Sequence, residues 1–118
     1  MSTEWVKDYY ATVDGMKMEE YLDWHTDDVK FRFGSTPTTT GKESIKQGVN
    51  QLWGALESLH HDMTGVWESG NVTIVEAEIT YTRKDGKVVV LPAATVLRRE
   101  GNLVSDIRIN MDINPLFA

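Results

Sequence analysis

Glu78 and His61 are the residues of this 118-residue chain best suited to moving a proton. Glu78 lies in an alternating stretch, Val72 to Lys84. A carboxylate set among apolar neighbours loses hydration, holds its proton more tightly and becomes a general base near neutrality. The competing reading is a solvated strand carboxylate, or one paired with Arg108. The run His60-His61-Asp62 supplies an imidazole. Neighbouring strand residues face opposite ways, so only one of the two histidines points inward. Counting back from the Gly70-Asn71 turn puts His61 on the face of Glu78, which makes an acid–base couple. The competing reading is a histidine near a sheet edge. The same alternation argues against a metal centre, since His60 and His61 diverge and no third ligand has matching spacing. His25 follows Trp24 at a helix end, where the dipole favours a cation. Asp27 and Asp28 suit the turn into the next strand.

These groups need elements to hold them. Trp5, Val6, Tyr9, Tyr10 and Val13 fall at helical spacing, with Ser2 or Thr3 as the cap and Asp14-Gly15 as the stop. Lys17 to Trp24 reads as a second short helix. The period then changes: Val29, Phe31 and Phe33 alternate with Lys30 and Arg32 as a half-buried strand. Thr40-Gly-Lys-Glu43 has the form of a capping box. It opens a third helix striped by Ile45, Val49, Leu52, Trp53 and Leu56. Long strands follow over His60 to Glu68, Val72 to Lys84, Lys87 to Arg98 and Leu103 to Ile113. The turns between them are Gly70-Asn71, Asp85-Gly86 and Gly101-Asn102. This order predicts one α+β domain over residues 1–118, with helices grouped on one face of a bent antiparallel sheet.

A two-residue turn at Asp85-Gly86 pairs Lys84 with Lys87 and Glu78 with Ala93. One face then carries Glu76, Glu78, Leu91, Ala93 and Thr95, and suits a cavity under the helices. The other carries Val75, Ala77, Ile79, Tyr81 and Val90, and suits a second subunit. The reverse assignment is nearly as good from pattern alone. The last strand is open too: either Ile107, Ile109 and Met111 share the cavity face, or Arg108, Asn110 and Asp112 do.

Composition removes other classes. The formal net charge of −6 argues against nucleic acid and against an anionic membrane surface. No stretch is long enough to span a bilayer, and the N-terminal apolar run is too short for a signal peptide, so the expected location is cytoplasmic. The chain has no cysteine, hence no disulfide, thiolate nucleophile or cysteine metal site.

Several runs resemble the SnoaL-like branch of the nuclear-transport-factor-two-like superfamily. They include Trp24-His-Thr-Asp-Asp-Val-Lys-Phe, Thr40-Gly-Lys-Glu-Ser-Ile, Gly65-Val-Trp-Glu-Ser-Gly-Asn, Leu91-Pro-Ala-Ala-Thr-Val and Ile107-Arg-Ile-Asn-Met-Asp-Ile-Asn-Pro-Leu. The resemblance implies a cone: a strongly curved sheet around three N-terminal helices, with an apolar internal pocket and frequent dimers through the outer face. It implies a small-molecule ligand and no cofactor. It favours Ile107, Ile109 and Met111 as cavity wall. It matches Tyr9 or Tyr10 to the oxyanion-hole tyrosine of ketosteroid isomerases and places an acid of related cyclases near Asp112. The isomerase base position holds Phe33 and its acid position Thr95, so that mechanism does not carry over. The epoxide hydrolase triad falls on Glu76, Glu78 and Ile109 and does not carry over either. The expected catalytic set is Glu78 with His61, Tyr10 or Asp112. The expected walls are Trp24, Phe31, Phe33, Trp53, Met63, Trp67, Leu91, Ala93, Thr95, Ile107, Ile109 and Met111. Two functions follow: a cofactor-independent cyclase, isomerase or hydrolase, or a non-catalytic binding or dimerisation module.

Overall fold

The computed structural model describes residues 3–118. Helix α1 (Glu4–Asp14) buries Val6, Tyr9 and Tyr10, one stripe at helical spacing. Thr3 makes no side-chain cap, and Ser2 lies outside the described residues. Helix α2 (Met18–Asp23) buries Tyr21. Strand β1 (His25–Phe33) begins four residues earlier than the alternation suggested, because His25 is itself buried. The capping box does not form. Thr40 belongs to a short strand, β2 (Thr39–Thr40), paired with Lys30, and Gly41 precedes helix α3 (Lys42–Trp53). Helix α3 buries Ile45, Val49 and Trp53.

Four strands complete the sheet: β3 (Leu56–Ser69), β4 (Val72–Arg83), β5 (Val88–Glu100) and β6 (Leu103–Asn110). Strand β6 stops at Asn110, short of the Ile113 expected, and helix α4 (Asn114–Phe117) follows. The order across the sheet is β2-β1-β6-β5-β4-β3, with β1 and β6 parallel and every other pair antiparallel. Register shifts interrupt the ladders near Thr64 and Ser105 and within β1. Such bulges bend strands, and the six-stranded sheet is curved and unclosed. Helices α1 to α3 pack in its hollow.

One register reverses an expectation. The β4–β5 turn is not two residues long. Gly86 donates to the Arg83 carbonyl at 2.9 Å, and Arg83 donates to Lys87 at 2.8 Å, so Lys84, Asp85 and Gly86 form a three-residue loop. Gly86 takes φ +92°, a conformation that glycine reaches without strain. Glu78 therefore pairs with Pro92 and Glu76 with Ala94. The two glutamates stand exposed on the convex face. Val75, Ala77, Ile79 and Tyr81 turn inward beside Leu91, Ala93, Thr95 and Leu97, all of them buried. Of the set expected to meet a second subunit, Val75, Ala77, Ile79 and Tyr81 are instead the floor of the core, and Val90 alone stays on the outer face.

Candidate active site

Between the helices and the concave face lies a cavity of about 510 Å³, within the range that holds small-molecule ligands. Its inner wall comes from Phe31 of β1, Ile79 and Tyr81 of β4, Thr95 of β5 and Ile107 and Ile109 of β6. Helix α1 supplies Tyr10, helix α3 supplies Val49 and Trp53, and β3 supplies His61. Exposed Thr36, Pro37, Gln51 and Phe117 mark the mouth.

The strongest polar arrangement pairs His61 with Asp14. His61 Nδ1 lies 2.6 Å from Asp14 Oδ1, and the His61 amide donates to Asp14 Oδ2 at 3.0 Å. A carboxylate only accepts, so Nδ1 carries a proton, and in the neutral imidazole the lone pair is on Nε2. The imidazole is 9 % exposed and the carboxylate 20 %, so the pair is well shielded from water. The Tyr10 ring lies 4.6 Å from the imidazole, centroid to centroid. Burial pushes the Tyr10 hydroxyl well above the ordinary phenol range, while the Thr95 hydroxyl offsets part of that rise. Tyr10 therefore remains a neutral hydrogen-bond donor. Tyr81, also held protonated chiefly by burial, donates to Met111 Sδ at 3.6 Å.

His61 reaches the hollow through a bulge, not through the uninterrupted ladder assumed from the turn. The pairing shifts between Met63 and Gly65, which sets His61 opposite Ile79 and Asp62 opposite Glu78. His61 thus lies inside without Glu78, on the other face of the sheet. Asp14 was read only as a helix stop. Its signal was available: a carboxylate in the last turn of a helix opposes the dipole and needs another reason to be there.

Other expected residues divide. Phe31, Phe33, Trp53, Thr95, Ile107, Ile109 and Met111 line the cavity, as do Tyr10 and His61. Leu91 and Ala93 are buried on the concave side but outside that lining. Met63 packs on the core, also outside it. Trp24 stacks beside Trp5 and Tyr9 and donates to the Thr12 hydroxyl at 3.3 Å. Trp67 sits on the convex face and is 56 % exposed, because the Gly70-Asn71 turn pairs it with Ile74, on the same outward face as Glu76 and Glu78. Asp112 is exposed and accepts from the Asn114 amide at 3.0 Å, capping α4 away from the cavity.

Beneath the site, His25 plays a structural part. Its Nε2 lies 2.9 Å from the Tyr9 hydroxyl, which is 3.4 Å from the Tyr21 hydroxyl. Burial lowers the imidazole from its ordinary 6.5 to about 4, against the pull of the Tyr21 and Leu22 carbonyls. It is therefore neutral, not the dipole-stabilised cation expected from sequence. The unfolded chain takes up this proton first as pH falls. The contribution is complete above pH 6.5 and is lost through the window from 6.5 down to about 4. Urea unfolding across that window should show a loss of about 3 kcal/mol. His25→Gln should flatten the slope, and an unchanged slope would reassign it.

A curved sheet with its helices in the hollow, opening on a cavity, defines the nuclear-transport-factor-two-like class. The SnoaL-like domain family matches residues 6–107, and the chain belongs to it. No curated protein matches the sequence. Among solved structures, a nuclear-transport-factor-two-like protein of unknown function from Burkholderia pseudomallei K96243 is similar at TM-score 0.83 and 15 % identity, covering 95 % of this chain and 91 % of that one. A Catenulispora acidiphila protein with a ketosteroid isomerase-like fold, in complex with trimethylamine, aligns at TM-score 0.80 and 21 % identity, covering 90 % and 83 %. An epoxide hydrolase of the limonene type from M. tuberculosis aligns at 0.78 and 11 %, covering 95 % and 83 %. At these identities the likeness is one of fold. Among the described residues no helix is long and apolar enough to cross a membrane.

Proposed function

We propose that this chain is a cofactor-independent enzyme that removes a proton from carbon in a small, largely apolar molecule, as a cyclase or isomerase does. The observation that carries this reading is the His61–Asp14 pair at 2.6 Å in the wall of the cavity. Asp14 fixes the tautomer that leaves His61 Nε2 able to accept a proton, and it steadies the imidazolium that forms. Tyr10, neutral and buried, donates to the oxygen on which negative charge develops, with Thr95 beside it. Apolar walls exclude water and strengthen both interactions. Glu78 and Asp112 have no part, since both stand in solvent.

The reading is tested without knowing the natural substrate. Enolisable cyclic ketones such as tetralone, incubated with the protein in deuterated water, should exchange their α-hydrogens faster than in buffer, as read by proton NMR. Exchange at the buffer rate across a panel of such ketones would favour a non-catalytic binding module.

We propose also that two copies pair through the convex face. Trp67, Ile74, Val88 and Val90 are exposed there, at 56, 39, 58 and 55 %. Charge is unevenly divided across the same face: Asp62, Glu76 and Glu78 on β3 and β4, and Lys30, Arg32, Arg98 and Arg108 on β1, β5 and β6, where Asp106 pairs with both Arg98 and Arg108 and leaves a basic excess. A two-fold axis along β5 brings the acidic half of one copy over the basic half of the other. Sedimentation should give a dimer at micromolar concentration and a monomer for Val90→Lys; a monomeric parent chain would end the proposal.

A further inference from the structure

Among the described residues lining the cavity there is no lysine, arginine, aspartate or glutamate. The lining is instead rich in aromatic rings, among them Tyr10, Tyr21, Phe31, Phe33, Trp53 and Tyr81. Ring faces carry the negative end of a quadrupole, which attracts cations and repels anions. The Asp14 carboxylate stands directly behind one lining residue, His61. Its field reaches across the chamber: besides the dominant effect of burial, Asp14 makes ionisation harder at both the Tyr10 and the Tyr81 hydroxyls. His60 is also close to Asp14, its Nδ1 3.6 Å away, and its side chain is 73 % exposed, on the solvent side. A guest in the cavity therefore meets aromatic faces and the Asp14 carboxylate behind His61, with no lysine or arginine among the described lining residues.

We infer that the cavity admits neutral and cationic ring compounds and excludes carboxylates of the same shape. This rests on the cavity's being the substrate site, and it narrows the substrate class to molecules without a free acid group. An incoming anion leaves its water, gains no ion pair and faces Asp14. An ammonium meets aromatic faces and an opposite charge, and a neutral carbonyl compound meets the Tyr10 and Thr95 hydroxyls.

Three probes share one ring system and differ in charge: naphthylmethylamine, naphthalenemethanol and naphthoate. Each is titrated into the full chain and followed by amide chemical shifts. The amine and the alcohol should saturate, with shifts at Thr95 and Ile79, and naphthoate should bind at least about tenfold more weakly than the alcohol. Asp14→Asn should narrow the gap between amine and alcohol. Gln51→Lys, at an exposed position of the mouth, should tighten naphthoate by about tenfold. Naphthoate binding as tightly as the alcohol, or no binding by any probe, overturns the inference. The two failures separate cleanly. Charge ranking without ketone exchange removes the enzyme and keeps the charge selection. Exchange without charge ranking does the reverse.

Discussion

Replacing His61 by glutamine should slow ketone exchange by a factor of about 10² to 10⁴, the usual worth of a positioned general base. Glutamine fills similar space and can still receive the Asp14 contact through its amide, so the fold should survive. What it lacks is a basic nitrogen facing the guest. Asp14→Asn should also slow exchange, by about tenfold or more, through a different cause. The carboxamide can offer its NH₂ to the ring in place of an acceptor, and it brings no charge to steady the imidazolium. Nitrogen chemical shifts of the imidazole separate the two. The parent chain should show the Nδ1–H tautomer, and Asp14→Asn should lose it. A structural role alone for Asp14 would leave the tautomer unchanged while the unfolding midpoint fell. Wild-type exchange rates in His61→Gln would remove this histidine from the reaction.

Tyr9→Ala should be the most destabilising single truncation, at about 3–5 kcal/mol by urea unfolding. Tyr9 is 2 % exposed and surrounded by rings. Trp5, Tyr10, Tyr21, Trp24 and His25 have centroids 5.2 to 5.8 Å from its own. Truncation opens a void that stiff rings on three elements cannot fill. Tyr9→Phe keeps the volume but takes the hydroxyl from His25 Nε2, 2.9 Å away, and should cost about 1–3 kcal/mol. Tyr9 anchors the helix that carries Tyr10 and Asp14, so the alanine variant should also lose exchange activity. If Tyr9→Ala unfolds no more easily than Tyr9→Phe, the aromatic cluster is not what holds α1.

The sequence made the element order readable because the helical stripes of α1 and α3 and the alternation in β4 are long and regular. It made the faces of the sheet unreadable for a specific reason. From Val88 to Leu97 strand β5 is apolar on nearly every residue, so its own pattern fits either register. Parity then depends on single residues elsewhere. The loop at Lys84 to Gly86 holds three residues, and that choice alone sends Glu78 outward. A bulge near Thr64 sets His61 opposite Ile79. At the last turn Glu100 does pair with Leu103 across two residues, yet a bulge near Ser105 then brings Ile107 and Ile109 into the hollow. Bulges leave little mark on composition, and the Asp14–His61 pair joins residues 47 apart in sequence. No local spacing announces such a partnership. The resemblance to SnoaL-like proteins implies the cone, whereas the His61–Asp14 pair exists only in the folded chain.

The two-pronged grip of Asp14 on β3, one oxygen to the ring of His61 and the other to its main chain, has a mechanical meaning. The first helix is fastened to the sheet at the very atoms that tune the proton acceptor. Fraying of that helix would misalign the His61 nitrogen before it disturbed anything else, so mild warming should silence ketone exchange while most of the molecule stays folded.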